Sequence, residues 1–251
     1  MAGQGEPGGL EVALLGGFRV SYADRDVTDR LVGRSRTIFE YLVLTAAPVS
    51  RDVLIELCWP GFDVERGRNN LNVAITGIRR AVGCNAIVQH RAGTYRINPD
   101  VAITVDVRDF LEHLRRAHRL DRSGPREEAI EAYRAAIEGH GGELLPEERY
   151  ADGAAPHRTF VQHAHLDAIK RLTLLCLDTG DLFGASWAAQ LGLLVHDLDD
   201  ELVECWLKTL TDRRDGRRLT AAFARYSARL QGELGLAPAP HLVALGTGTT
   251  G

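Results

Sequence analysis

Between Arg66 and Gly83 the chain reads RGRNNLNVAITGIRRAVG, a run of amide, hydroxyl and guanidinium side chains without a carboxylate. The flanking acids are Glu65 and Asp100. At about 100° per residue, Leu71, Ala74, Ile75, Ile78 and Val82 collect on one side, a stripe that belongs against a core. Asn69, Asn72, Val73, Thr76 and Arg80 fall on the other side, with Arg66 a turn upstream and Arg68 and Arg79 completing the candidate set. Asn can pair with an adenine edge, Arg with guanine or phosphate, and the Val and Thr methyls can meet the thymine methyl. Acids would be repelled by phosphate, and none is present. Asn is also a poor helix former, so Asn69, Asn70 and Asn72 cost helix stability that Ala or Glu would not. Some serve the helix start near Asp63, and a solvated polar face accounts for the charges alone. Base contact accounts for the excess of Asn.

Two flanking segments point the same way. Arg34-Ser35-Arg36-Thr37 opens a helix, where free N–H groups and the positive end of the dipole suit a phosphate. His90-Arg91-Ala92-Gly93-Thr94 with Arg96 forms a hairpin tip able to lie along a backbone or enter a minor groove. Phosphate contacts of this kind set register without reading sequence.

The elements that must hold these residues follow from spacing. Leu10–Tyr22 alternates apolar and polar around Gly16-Gly17, which predicts strands joined by a tight turn, and Asp24–Thr28 predicts another turn and a short strand. Ile38, Leu42 and Thr45 fall at helical spacing before Pro48. Ser50 is a plausible N-cap for a short helix carrying Val53, Leu54 and Leu57, broken by Trp59-Pro60-Gly61. The long helix runs from Val64 to Val82, with Gly83 as C-cap. AIVQH and TYRIN around Arg91-Ala92-Gly93 predict a hairpin. Residues 10–104 therefore read as an α+β winged helix-turn-helix domain with an antiparallel sheet in front. Residues 1–9 read as a flexible N-terminus.

From Val105 the pattern is helical. SGPREEAIEAY, TGDLFGASWAA and DGRRLTAAFARY each run turn, Gly, helix, small residue, and Gly180 and Gly216 lie 36 apart, as do Ala185 and Ala221. That is close to the 34-residue period of tetratricopeptide (TPR) hairpins. Residues 105–242 are expected to be an all-α TPR-like domain interrupted by a polar loop around Gly139–Ala155, with residues 243–251 as a flexible tail. Trp59, Trp187 and Trp206 are expected in the core. Arg213-Arg214 and Arg217-Arg218 form the densest basic cluster, either a solvated turn or a docking point for an acidic surface.

The formal charge of −4 is unevenly spread. Residues 10–104 hold 12 Arg against 10 acids, and residues 105–251 hold 18 basic against 23 acidic residues. A local excess of this size permits DNA binding without requiring it. Arg makes up all basic residues but Lys170 and Lys208, partly a GC-rich coding habit. Four scattered cysteines without a CxxC pair suit reduced thiols, and no secretory stretch opens the chain, so a cytoplasmic location is expected. There is no P-loop, GxSxG or strand-following GxGxxG, so no enzyme activity is expected. His163 and His165, two apart on a helix, do not share a face, so neither a metal nor a cofactor is expected.

In order along the chain, Leu10–Val20, LCWPGFD (57–63), Arg68-Asn69-Asn70-Leu71, Ile78–Gly83 and Gly93-Thr94-Tyr95 resemble the OmpR-type winged helix. Val105-Asp106-Val107 with Phe110, GELLPEERYAD (142–152) and Glu233–Pro238 resemble the bacterial transcriptional activator domain. Together they resemble the SARP/AfsR family of regulators. Gly67 stands where that pattern usually has Ala, and Gly153 where it has an aromatic residue. The resemblance implies a transcription activator of secondary metabolism that binds direct repeats in promoter DNA as a homodimer, away from membranes. It implies a major-groove role for the long helix and a wing role for the hairpin. It also implies contact with RNA polymerase holoenzyme, through sigma factor and the alpha C-terminal domain; the loop Trp59–Val64, by its place between the two last helices of the domain, is the candidate contact. The competing class is a helical-repeat scaffold that binds a protein partner and no DNA.

Overall fold

The computed structural model describes residues 9–148 and 153–247. Most of the expected flexible N-terminus, the end of the expected tail and Arg149–Asp152 of the GELLPEERYAD motif lie outside the described residues. The described chain divides into two compact units: residues 9–109 with 140–148 and 153–162, and residues 110–139 with 163–247.

In the first unit, β1 (Leu10–Ala13), β2 (Arg19–Tyr22) and β3 (Arg25–Asp26) form an antiparallel meander. The alternation is clean: Leu10, Val12 and Val20 are buried while Glu11 and Arg19 face out. The predicted sheet was antiparallel throughout, but β7 (Ile103–Val105) joins it parallel to β1, Leu10 opposite Ile103, giving the order β3-β2-β1-β7. Immediately after β7, the Asp106 carboxylate accepts hydrogen bonds from Leu14 N and Leu15 N. Burial pushes this carboxyl above the usual range, against the pull of its backbone donors.

Helix α1 (Gly33–Thr45) buries Ile38, Phe39, Leu42 and Val43 completely. A two-residue strand, β4 (Val49–Ser50), precedes α2 (Arg51–Cys58), and the Ser50 hydroxyl caps α2 by accepting from Val53 N. The buried face of α2 is Leu54, Ile55 and Cys58, while Val53 is exposed and Leu57 half-buried. Helix α3 (Val64–Val82) starts at an Asp63 cap that accepts from Arg66 N and stops at Gly83 with φ 78°. The second sheet, β4-β6-β5, contains the hairpin of β5 (Val88–Arg91) and β6 (Thr94–Ile97). Its two-residue turn, Ala92-Gly93, has φ 49° and 77°. Positive φ at both central residues matches the strand twist of a tight hairpin.

Residues 140–147, expected as a loop interrupting the helical array, complete the first unit. Leu144 bridges Leu15, Leu145 N donates to Leu14 O, and both leucines are fully buried. The close approach is possible because Gly16 has no side chain; a Cβ there would lie 2.3 Å from Gly141 O. Nearby, the Glu147 carboxylate accepts from Phe18 N at 3.0 Å.

Among the described residues seven α-helices follow β7: α4 (Asp106–Ser123), α5 (Arg126–Glu138), α6 (Ala155–Asp178), α7 (Leu182–Leu193), α8 (Asp200–Asp212), α9 (Gly216–Leu234) and α10 (Pro240–Gly246). The first turn of α4 and the start of α6 belong to the first unit, and the remainder builds the second. Asp181 and Asp215 cap α7 and α9 through Gly184 N and Arg218 N. These caps lie 34 apart in sequence, and they correct the register taken from the glycines. Gly180 precedes its cap while Gly216 follows it, so the 36-residue match is two out of step. The packing residues agree: Ala185 is buried, its expected mate Ala221 is exposed, and Leu219, 34 residues on, is buried. Residues 243–246, expected in a flexible tail, belong instead to α10, which Leu242 anchors with no exposure. Trp59, Trp187 and Trp206 are half-buried rather than core residues. Among the described residues no helix is long and apolar enough to cross a membrane.

Candidate nucleic-acid interface

Helix α3 has two chemically distinct sides. Leu71, Ala74, Ile75, Ile78 and Val82 are all buried, anchoring one side in the core of the first unit. Arg66, Arg68, Asn69, Asn72, Val73, Thr76 and Arg80 are all exposed, Val73 to 73%. An apolar side chain so exposed on an otherwise polar helix face gains nothing from folding. The Thr76 hydroxyl donates to Asn72 O at 2.8 Å, which satisfies it within the helix. At the helix start the Arg66 guanidinium lies over the Phe62 ring, 4.3 Å from its centroid.

Arg79 differs from the rest of the set. It is half-buried, and its Nη2 donates to Val88 O at 3.0 Å, fastening β5 to α3. It positions the hairpin beside the helix.

The start of α1 also meets α3. Ser35 Oγ donates to Ala74 O at 3.1 Å, and a Cβ on Gly77 would sit 2.5 Å from Ser35 Oγ. Gly77 was not among the predicted site residues. The signal available was an unexplained Gly in a helix interior, where it costs about 1 kcal/mol relative to Ala. Ser35 is therefore a packing residue. Arg36 is turned inward as well: its Nε pairs with buried Glu40 at 2.6 Å and its guanidinium lies 4.2 Å over the Phe18 ring. Thr37 is half-buried. Arg34 is exposed in the first turn of α1, where Val32 provides no side-chain cap for the first N–H groups.

In the hairpin, His90 and Arg91 are exposed. The His90 ring stacks on buried Tyr95 with centroids 4.3 Å apart and 10° between planes. Thr94 Oγ1 donates to Arg91 O at 2.8 Å, closing the turn. Arg96 Nε donates to Gln89 Oε1 at 2.7 Å, a direct cross-strand pair fixed by the two-residue turn. The exposed side of α3, Arg34 and the tip residues His90 and Arg91 are thus open to solvent, whereas Ser35, Arg36, Arg79 and Arg96 are engaged in contacts within the first unit. Chemically, the exposed side of α3 offers amide groups, methyls and the guanidinium groups of Arg66, Arg68 and Arg80. Among the described residues no group of three or more His, Cys, Asp or Glu side chains is arranged to hold a metal ion.

Comparison with known proteins adds the following. Residues 105–248 match the family model of the bacterial transcriptional activator domain, more than half of the chain. The solved structure of Mycobacterium tuberculosis EmbR, in complex with a low-affinity phosphopeptide, is similar with a TM-score of 0.76 at 20% identity over 95% of this chain. That match covers 64% of the EmbR chain, so the present chain spans just under two thirds of its length. The shared architecture is a winged helix followed by a helical-repeat domain. No curated protein matches the sequence.

Proposed function

Because the chain belongs to the bacterial transcriptional activator domain family, we propose that it is a sequence-specific, DNA-binding transcriptional activator of the SARP type. In this reading α3 enters the major groove. Asn69, Asn72, Val73, Thr76 and Arg80 meet base edges, and Arg66 and Arg68 meet base edges or the adjoining phosphates. Arg34 and the first N–H groups of α1 hold one backbone strand, and His90 and Arg91 follow another or enter the minor groove. The observation that carries the proposal is the exposed, acid-free side of α3 from Arg66 onward, opposite a buried one. Phosphate contacts supply affinity and register; the Asn, Thr and Arg groups supply discrimination.

The same reading has a homodimer on direct repeats and contact with RNA polymerase holoenzyme, including sigma factor and the alpha C-terminal domain. The loop between α2 and α3 is the surface offered for that contact, with Phe62 exposed to 38% and Val64 to 66%. The site of action is the cytoplasm, and no catalysis is involved.

The test is selection of bound fragments from genomic DNA, followed by gel shift on the enriched site. Asn72→Ala and Arg80→Ala should each weaken specific binding by about 1–3 kcal/mol and relax preference at one base position, with the fold unchanged. Enrichment of no sequence, or unchanged gel shifts for both variants, would favour the protein-binding scaffold instead.

A further inference from the structure

The helical unit carries a groove that the DNA reading does not use. Two adjoining hollows of about 390 and 250 Å³ share Gln190, Trp206, Ala222 and Arg225 and run between α7 and α9, with Trp206 of α8 between them. The two sides are chemically opposite. On the α7 side Ser186, Gln190 and Leu193 line the groove together with Leu194, which follows the helix as its C-cap and is exposed to 81%. On α9, Arg218, Arg225 and Arg229 follow one another at spacings of seven and four. Between these arginines sits Ala222, small and buried, so no side chain closes the groove.

The arginines are not equally neutralised. Arg229 pairs with Asp197 and with Glu233, and Arg218 with Asp215 at 3.7 Å. Arg225 has no carboxylate partner among the described residues; its guanidinium lies 5.5 Å over the Trp206 ring. An unneutralised guanidinium on an aromatic face, in a groove that the exposed Leu194 also lines, combines the residue types that dominate binding at protein interfaces. Large exposed apolar groups rimmed by charge mark a partner site rather than a solvated surface.

We propose that this groove docks an acidic amphipathic peptide segment of a partner protein. Its apolar side chains pack against Leu193 and Leu194 and its carboxylates meet the arginine row of α9. The spacing of seven and four along the arginine row fits a helical ligand with anchors at successive turns, and the charge complementarity selects acid over base. The adjacent arginines Arg213, Arg214 and Arg217 are all exposed and extend the positive field past the groove's end. The inference stands independently of DNA binding.

The experiment is fluorescence anisotropy with the full-length chain and two fluorescein-labelled, helix-forming 16-residue peptides. One carries Leu at every third or fourth position and Glu elsewhere; the other replaces each Glu with Lys. The acidic peptide is expected to bind and the lysine peptide not. Arg225→Glu and Leu194→Asp should each weaken binding roughly tenfold or more, while Arg225→Lys retains most of it. Arg225 and Leu194 are exposed, so melting temperatures should match that of the unaltered chain. Arg225→Gln, which removes the charge without adding a carboxylate beside Trp206, gives the same reading should Arg225→Glu disturb the fold. Equal affinity for the two peptides, or equal binding by the chain with and without the Arg225 and Leu194 changes, would overturn the proposal. So would a dimer in sedimentation that Leu194→Asp dissolves, because the groove would then belong to a second copy.

Discussion

Gly67 offers a sharp test of how α3 is seated. Intrinsic helix propensity favours Gly67→Ala by about 1 kcal/mol, since the position lies inside α3 rather than at its cap. The packing opposes it. A Cβ at Gly67 would lie 2.6 Å from Ile55 Cγ2 and 3.3 Å from Ile55 Cδ1. Ile55 is itself 8% exposed on α2 and β-branched, so relief requires an unfavourable rotamer or movement of α2. Forcing a methyl into such a contact costs about 1–3 kcal/mol. The net expectation is destabilisation of about 1 kcal/mol, read as a lower urea midpoint with an unchanged m-value. The second half of the test uses Ile55→Ala, which alone should cost about 2–4 kcal/mol by leaving a cavity. In that background the added methyl meets empty space, so Gly67→Ala should become stabilising by up to about 1 kcal/mol. A stabilising effect in the unaltered chain, or the same effect in both backgrounds, would refute the argument that Ile55 excludes a side chain here.

Arg79→Met keeps the side-chain stem and removes the donor to Val88 O; it should lower stability by about 1 kcal/mol and weaken binding to all DNA sequences alike. A changed preference at a single base position would make Arg79 a reader instead. Arg34→Ala should reduce the slope of log affinity against log salt by about 0.9 and leave base preference intact, measured by titration at several salt concentrations. In the helical unit, Arg171 holds Asp121 through hydrogen bonds of 2.6 and 2.7 Å, and this keeps the Asp121 carboxyl below its usual range. An acid with a lowered folded pKa stabilises above its unfolded value of about 3.9 and loses that stabilisation as pH falls through the folded value. Asp121→Asn should therefore lower the melting temperature near neutral pH, and the gap to the unaltered chain should close below about pH 4. A gap that persists at low pH would mean that Asp121 contributes through packing alone.

The parts of the fold that were legible in the sequence carry local physical signals. Helix α3 was bounded to the residue because an Asp cap, a 3.6-residue apolar period and a left-handed glycine all act within a few residues of the chain. The hairpin was legible through Gly93, although the turn is the two residues Ala92-Gly93 and Arg91 belongs to β5. Strands β4 and β7, of two and three residues, are too short to show alternation, and β7 pairs with a strand more than ninety residues earlier. Leu144 and Leu145 were hidden in a Gly- and acid-rich loop; two adjacent leucines there were the only sign of a buried anchor. Among the site residues, exposure on α3 followed from periodicity. The inward turn of Arg36 was legible in principle, because Glu40 follows it by four residues, the spacing of a helical ion pair. The cross-strand partner of Arg96 likewise follows once the turn length is known. Ser35 could not be assigned from sequence, since its partner is a backbone carbonyl of a different helix.

The central claim, that the exposed side of α3 lies against DNA bases, is tested most directly by photocrosslinking. A benzoylphenylalanine introduced at Val73 should crosslink to one defined base within the selected genomic site, whereas the same group at exposed Thr220 in α9 should give no crosslink. Crosslinks from Thr220 that equal those from Val73, or none from Val73 on DNA that the protein demonstrably retards, would contradict the account.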